Sequence, residues 1–531
     1  MNEFQEKVIN ALAEHSPVWI VGGAVRDIIL GYEAKDLDLV TSLGTDELEN
    51  ILLAKGFTPQ RIGAKFNTVS VFQHNNRIDI VQANDLRQDA LKRDFTINAM
   101  YLNPLTNQVF DPLQGSGDLE QKVLKTCNNP IITFREDPVR ILRMVKFAVQ
   151  YEMEIERRVW EDAKDLIALL VSVPKERVTA ELAEILILPK AEKAVRLLDE
   201  LDYWEVFIPE LARLKGLVQN QYHSLDVWEH TLAVFRNTPE DLFLRLAALF
   251  HDIGKWEVAS RECYVAGKLS YDIDSYYIEG YKIIGTRGNT ELDNKLKNLV
   301  GKDIKILGAR LDHYPNIVQF KRLLVGETAS KGLTLVENGK RHFLNHEKAS
   351  AELIKNILPR YSFSMFFEGE GRKREEELLY LVEKHMSATL AFMPELRGEK
   401  PKRSFRDRAA ELVWDICWDG RVYKLQRIHD FLLLWKADYE AGKVHTEQQD
   451  IVFEKIFKKM LEIALWQNEN IDNITWDIFR EYVSNLKLTG PELGEFKNHI
   501  RKKALIEGQT NLDDIFLRKA YREFIQAKKR S

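Results

Sequence analysis

Short apolar runs alternate with amphipathic segments of helical period as far as about residue 115, a pattern that predicts a small sheet flanked by helices. The opening MNEFQEKVINALAEH reads as an amphipathic helix, VWIVGG as a strand running into a glycine turn, AVRDIILG as a helix and DLDLVTS as a second strand. TDELENILLAKGF is a further amphipathic helix. KFNTVSVFQ and RIDIVQA alternate as strands able to pair as a hairpin around His74-Asn75-Asn76, and NAMYLNP closes the sheet. From about Asp118 the period changes to 3.6 and stays there, with few strand signals, in segments such as DPVRILRMVKFAVQY and RVTAELAEILI. The expected fold class is therefore α+β, a head with a small mixed sheet followed by an all-α body. Residues 257–340 depart from this rhythm with Tyr- and Asp-rich stretches and the glycine turns GTRGNT and VGETASKG, and read as an insertion within a helical domain. Lys400–Arg408 (KPKRSFRDR) is a basic surface loop or helix start, and the last 80 or so residues are helical segments with charged faces.

Composition narrows the class without choosing a function. A chain of 531 residues, 45% hydrophobic and 30% charged, has apolar surface for several cores, and disorder, collagen-like repeats and coiled coil are excluded as main descriptions. Lys and Arg (76) against Asp and Glu (81) leave a net charge of -5, which excludes a uniformly basic nucleic-acid coat but not a local basic stripe. Cys127, Cys263 and Cys417 have no paired spacing, so neither a disulfide framework nor a zinc ribbon is expected. The apolar stretches Leu166–Val173 and Phe431–Trp435 fall far short of the roughly 20 residues that a membrane helix needs. The N-terminus lacks the order of a signal peptide, and a cytoplasmic location is expected.

Two constellations carry chemistry. In the first, Gly22 and Gly23 stand between a strand and a helix, where backbone N–H groups approach phosphates, and Arg26 lies one turn into that helix, in reach of a triphosphate. Asp36 and Asp38 alternate on the next strand and point to one face. Such a pair can hold two Mg2+ ions about 4 Å apart, the arrangement that activates a hydroxyl and stabilises the leaving group in phosphoryl transfer. Asp79, on the RIDIV strand, is a candidate third carboxylate. A glycine pair or a DxD alone is commonly only a turn or a solvated strand; their order and spacing give them weight.

GGAVRDIILG, KDLDL, KRDFTINAMYLNP, FDPLQGSGDLEQKVLKT and FREDPVRILRMVKFA follow one another in an order that resembles the bacterial class II tRNA nucleotidyltransferases (CCA-adding enzymes) and their poly(A) polymerase relatives, with a polymerase β-like head. The likeness covers about residues 17–150 and continues more weakly through ERVTAEL (176–182). It implies that Asp36 and Asp38 bind Mg2+, that Gly23, Arg26 and Arg93 contact the nucleotide, and that Asp137, Arg140 and Arg143 form a protein template for the incoming base. Glu136, Asp137, Arg140 and Arg143 have the spacing to cluster on one side of a helix, and an Asp acceptor beside an Arg fork satisfies the Watson–Crick edge of cytosine or, rearranged, of adenine. Two features depart from the family pattern. Lys146 stands where many relatives have a third arginine, keeping the charge and losing the fork. Only fourteen residues separate Asp79 from Asp94, where members adding the whole CCA carry a longer loop; a shortened loop is a feature of those that add only two cytidines.

The second constellation is His230 in WEHTLAVF, His251-Asp252 in LFHDIGK, His346 in HFLNHEKA, His385 in LVEKHM and Asp438 in DFLLLWKAD. Imidazoles and carboxylates from separate helices can hold a divalent transition metal that supplies a hydroxide near neutral pH. The order resembles the HD metal-dependent phosphohydrolase domain found after some bacterial CCA-adding enzymes. His230, His251, Asp252 and Asp438 fit a mononuclear set, His346 and His385 would add a second metal, and His223 and His342 read as bystanders or supporting groups.

The expected organisation is a nucleotidyltransferase head at 1–125, a helical neck at 126–215, an HD domain at 216–445 with the insertion at about 257–340, and a helical region at 446–531. The expected function is addition of CCA, or CC alone, to the tRNA 3′ end from CTP and ATP, with phosphoester hydrolysis in the HD domain. The rivals are a poly(A) polymerase, a nucleotide-binding module without catalysis, and an HD phosphohydrolase with a non-catalytic head. The oligomeric state is open.

Overall fold

The computed structural model describes the chain apart from residues 33–36, 63–67, 74–75, 219–224, 273–274, 279–280, 285–289, 324–334, 344, 368, 370, 443–444, 485, 487 and 529–531. It forms two compact units, Met1–Phe207 and Ile208–Ser531.

The first unit opens with the helix Glu3–Ala13, which Asn2 and Gln5 start with a reciprocal capping box and which buries Phe4, Val8, Ile9 and Leu12. Seven strands follow: β1 (Val18–Val21), β2 (Leu37–Thr41), β3 (Pro59–Ile62), β4 (Thr68–Gln73), β5 (Asn76–Gln82), β6 (Tyr101–Leu102) and β7 (Val109–Phe110). They lie in the order β3-β4-β5-β2-β1-β6-β7, antiparallel except for β2 beside β5, so the sheet is mixed as its sequence pattern predicts. The β4–β5 hairpin forms with Gln73 opposite Asn76; its turn residues His74 and Asn75 lie outside the described residues. In β2, Leu37, Leu39, Val40 and Thr41 are buried while Asp38 faces out, directly beside Asp79 of β5 in the parallel register.

Beyond the sheet the chain is helical, with one short parallel pair, β8 (Val123–Leu124) with β9 (Glu154–Ile155), that the apolar pattern did not mark. The template segment is not one helix. Pro130–Glu136 ends at Asp137, whose backbone is extended (φ -149°, ψ 96°), and a new helix runs Arg140–Gln150. Pro138 explains the break, because a proline ring pushes the preceding residue out of the helical region.

In the second unit the helices Val227–Asn237, Leu242–Phe250, His346–Ile357, Gly371–Lys384 and Leu425–Ala441 pack as a bundle. The insertion corrects the expectation of a wholly helical body. It is a sheet of six strands, β10 (Ser260–Asp272), β11 (Ser275–Ile278), β12 (Tyr281–Ile284), β13 (Asp303–Leu311), β14 (Tyr314–Leu323) and β15 (Leu335–His342), in the order β11-β12-β14-β13-β10-β15. Its own core includes Val265, Leu269, Tyr276, Ile278, Ile304, Ile306 and Val318, and the helix Thr290–Lys297 adds Leu296. Ser260 pairs with both Leu311 and His342, which closes the sheet at its root and returns the chain to the bundle where it left. The C-terminal part is helical as expected, and the basic Lys400–Arg408 stretch is a helix start, with Ser404 capping Phe405–Cys417. Among the described residues, no helix is long and apolar enough to cross a membrane.

Candidate active sites

The head site begins at the turn after β1. Gly22 has φ +78°, a conformation that a side chain strains, and a Cβ there would stand 3.4 Å from Asp38 Oδ2 and 3.7 Å from Arg93 Nη1. It is the left-handed backbone that calls for glycine here, since those distances are ordinary contacts. Gly23 opens the helix Gly23–Ile29, from which Arg26 turns inward. Its Nε and Nη2 donate to Asp27 Oδ1 (3.0 and 2.8 Å), its Nη1 donates to Asn98 Oδ1 (2.7 Å), and its guanidinium lies over Phe147 and Tyr151. Asp79, beside Asp38 in register, accepts from Ser70 Oγ (2.5 Å) and Arg77 Nε (2.7 Å). Asp36 lies outside the described residues.

The other side of the cleft comes from the template segment. Asp137, held extended at the helix break, pairs with Arg177 at 2.7 Å. Arg140 donates to the carbonyls of Lys92 (2.7 Å) and Thr133 (3.3 Å). Arg143 binds Asp94 at 2.7 Å. Burial pushes the Asp94 carboxyl up, but Arg143, Asn98 and the Phe95 amide outweigh it and hold the group below its ordinary value. Lys146 is buried between Glu181 (2.5 Å) and Glu184 (2.6 Å). Glu136 is half-exposed at the helix end, 3.5 Å from Arg140, and does not line the cleft.

These groups enclose a cleft of about 630 Å³ within the first unit. It brings together Gly22, Gly23, Arg26, Asp38, Arg93, Asp137, Arg140 and Arg143, all anticipated from sequence. It also contains Lys92, Asp94, Asn98, Arg177 and Glu181, to which the sequence reading gave no role, although RDFTINA and ERVTAEL were already marked as motifs. Six basic side chains against four acidic ones suit a polyanion, and the carboxylate oxygens of Asp38, which lines the cleft, and of Asp79, its register partner on β5, suit Mg2+.

The second site lies in the helical bundle. His230 comes from Val227–Asn237, whose N-terminus Asp226 caps, and His251-Asp252 sits where the fully buried Leu242–Phe250 helix ends. His346 starts the helix after the insertion, His385 follows Gly371–Lys384, and Asp438 lies in Leu425–Ala441. Two groups of ligand atoms result, each within 4.8 Å: His230, His251 and Asp438, and Asp252, His346 and His385. Asp252 joins them, with Oδ2 at 3.1 Å from His251 Nε2 and Oδ1 at 3.1 Å from His346 Nε2; Lys255 Nζ lies 2.6 Å from Oδ2. His223 and the side chain of His342 lie outside the described residues.

The tautomers point to a cation. Nδ1 of His251, His346 and His385 faces the carbonyl of Ala248, Phe343 and Val382 at 2.7, 2.8 and 2.6 Å, so each Nδ1 carries the proton and each Nε2 offers a lone pair. The Nε2 atoms of His346 and His385 are then 3.2 Å apart with Asp252 Oδ1 beside them, and the buried His251 Nε2 lies 3.1 Å from Asp252 Oδ2. Converging lone pairs repel unless a positive ion stands among them, and mixed nitrogen and oxygen donors fit a divalent transition metal. Burial, then His346 and His251, push His385 down to about 3, while Asp252 is held well below the carboxylate range, against its burial, by His251 and Lys255. Both shifts keep His385 and Asp252 unprotonated at neutral pH, whereas His251 is raised, against its burial, by the Asp252 carboxylate beside it.

A mixed sheet carrying an acidic pair beside a glycine turn, joined to a basic cleft, defines the class as a nucleotidyltransferase head. Residues 18–125 match the poly(A) polymerase head domain, and residues 152–215 match the probable RNA- and SrmB-binding site of polymerase A. The poly(A) polymerase I of Haemophilus influenzae is 31% identical over 218 residues, 36% of this chain and 48% of its own length. The CCA-adding enzyme of Lactococcus lactis subsp. cremoris is 28% identical over 327 residues, 56% of this chain and 78% of its own length. In fold, the chain resembles the Thermotoga maritima CCA-adding enzyme, solved with tRNA, at TM-score 0.54 and 18% identity, covering 98% of this chain and 95% of that one. The head and neck therefore resemble those of the class II tRNA nucleotidyltransferases and their poly(A) polymerase relatives.

Proposed function

We propose that the head adds cytidine and adenosine to the 3′ end of tRNA from CTP and ATP, reading the base with protein side chains. The observation that carries this is a single cleft that holds Asp38, the register partner of Asp79, together with Asp137, Arg140 and Arg143. In this reading Asp36, Asp38 and Asp79 hold Mg2+, which supplies activation of the tRNA hydroxyl and charge stabilisation at the α-phosphate. Gly22 and Gly23 let the backbone approach the phosphates, while Arg26 and Arg93 offset their charge as pyrophosphate leaves. Asp137 accepts from the cytosine amino group and Arg143 donates to its ring acceptors. Uracil presents the reverse pattern and leaves buried groups unpaired, which is costly. Arg140, which lines the same cleft and here donates to two backbone carbonyls, is the third member of the reading set. Lys146, tied to two glutamates, stands outside the reading set.

A second reading, addition of two cytidines only, is favoured by the connection before Asp94. Between β5 and Asp94 the chain makes one short helix, Leu86–Ala90, and nothing longer.

The bundle site fits hydrolysis of phosphoesters such as 2′,3′-cyclic or 2′-phosphates at RNA ends, with His230, His251, Asp252 and Asp438 on one metal and His346 and His385, sharing Asp252, on a second. This site separates the reading from a plain poly(A) polymerase, and the placement of Asp38 in a basic cleft argues against a non-catalytic head. The test supplies tRNA lacking CCA with labelled CTP and ATP, separately and together, and reads product length. Two or three additions support the reading, two alone select the cytidine-only form, and a long A tail replaces it with a polymerase.

A further inference from the structure

Three arginines fall in one row at the root of the insertion. Arg261 of β10 pairs with Arg310 of β13 on one side and with Arg341 of β15 on the other, so three adjacent strands carry arginine at the same level. Residues 260–342 hold 14 Lys and Arg against 10 Asp and Glu, an excess of positive charge in a chain whose net charge is -5. Like charges opposite one another weaken a sheet, and an anion lying across the row turns that cost into binding.

The row stands next to the bundle site. Arg341 is five residues before His346, which limits the distance between their Cα atoms to about 18 Å. Phe343, between them, turns its carbonyl to His346 Nδ1 at 2.8 Å, and Lys255 Nζ, 2.6 Å from Asp252 Oδ2, lies 5.5 Å from the Phe343 ring centroid. On the β13 side, the Asp312 amide donates to the Ala259 carbonyl at 2.8 Å. The exposed His313 stacks on Trp256 with ring centroids 3.7 Å apart and planes at 16°, and the Arg213 guanidinium lies over the same indole at 4.7 Å. The root thus joins a row of cations to an exposed aromatic ring. That combination holds unpaired nucleotides, the cations taking phosphates and the ring taking a base face.

We propose that the root of the insertion binds the backbone of single-stranded RNA through Arg261, Arg310 and Arg341, with a base stacked on His313, and so leads an RNA end to the metal ligands of the bundle. The delivery rests on the hydrolytic role proposed for the bundle; the binding does not. Duplex RNA fits poorly, because its stacked bases leave no free face for His313.

Fluorescence anisotropy of a labelled, unstructured RNA ending in a 3′-hydroxyl measures the affinity of the full chain across a salt series. The proteins compared are the wild type, Arg261→Gln with Arg310→Gln and Arg341→Gln, the same three positions changed to lysine, and His313→Ala. The glutamine variant is expected to lose about tenfold or more in affinity, and its slope of log K against log salt to flatten by about 2, the value for three phosphates on a single strand. The lysine variant is expected to keep the slope. His313→Ala is expected to lose about fivefold or more with the slope intact, and it decides the matter if the glutamine variant folds poorly. For hydrolysis of the same RNA ending in a 2′,3′-cyclic phosphate, the glutamine variant is expected to raise KM more than it lowers kcat. Unchanged affinity in the glutamine variant or in His313→Ala, a lysine variant as weak as the glutamine one, or duplex RNA bound as tightly as the single strand overturns the proposal. A wild type that binds the RNA as expected yet hydrolyses neither its cyclic-phosphate form nor bis(p-nitrophenyl) phosphate overturns the role of the bundle, and the delivery with it, while the binding stands.

Discussion

Asp38 faces out of a strand whose other side chains are buried, so a substitution there tests whether the two proposed chemistries are separable. Asp38→Ala removes the carboxylate proposed to hold Mg2+ and disturbs no buried core residue, so nucleotide incorporation is expected to fall by at least about 10³-fold while metal-dependent phosphoester hydrolysis stays at its wild-type rate. Loss of both activities in that variant would show that the sites are not independent. His251→Ala with Asp252→Ala is expected to do the reverse, and a metal-titration assay would show the binding lost. His385 gives a pH signature. Its folded value is about 3 against 6.5 as the ordinary value, so the unfolded chain takes up this proton first. Stability of the metal-stripped protein is therefore full above about pH 6.5 and declines, by at most about 1.4 kcal/mol per pH unit from this group, as pH falls towards 3. Thermal unfolding across that range should be flatter in His385→Gln; an unchanged slope would remove the group from the account. At this scale the candidate residues stood out because the 12 histidines are few and the aspartates and glycines fall at telling spacings. Asn98 and Arg177 were not, since a polar residue in a turn or on a helix face has no pattern of its own until the fold shows what it touches.

The elements explain how precision is reached with ordinary sequences. The break at Asp137-Pro138 turns the Asp137 carboxylate toward Arg177 and the cleft, where a continuous helix would have carried it round with the exposed Glu136. The expectation of one helical face through Glu136, Asp137, Arg140 and Arg143 failed there because proline sets the conformation of the residue before it. In the bundle, Gly254 makes the corresponding close approach. A Cβ on it would stand 2.4 Å from the Ser350 amide nitrogen and 2.7 Å from the His346 carbonyl oxygen, and its own N–H donates to Ser350 Oγ at 2.9 Å. Gly254→Ala should therefore push the His346–Ile357 helix away from Asp252. Hydrolysis and metal affinity are expected to drop about tenfold to a hundredfold, as seen when groups that orient metal ligands are disturbed, with nucleotide addition unchanged. Retained metal affinity would show that the bundle absorbs the methyl group. The insertion was recognised as a departure from helix but not as a sheet. Along β10 (SRECYVAGKLSYD) apolar and polar positions do not alternate regularly, so the strand is identified by pairing across more than thirty residues, as Ser260 does with Leu311.

The whole molecule is two compact units, each with a complete set of polar groups around its own site. The head was legible almost strand by strand, since its buried strands are short, apolar and separated by glycine and polar turns. The bundle was legible through its ligands rather than its helices, whose packing leaves no comparable mark. The head sits in a family whose members end with different products, and the short connection before Asp94 bears on which product forms here. The most direct measurement incubates the full chain and Mg2+ with tRNA lacking CCA, and labelled CTP and ATP, and resolves the products to single-nucleotide length. The account predicts that CTP alone yields a two-nucleotide extension that halts, with at most one adenosine added when ATP is present. No extension by CTP, or an ATP-only ladder growing without limit, would contradict it.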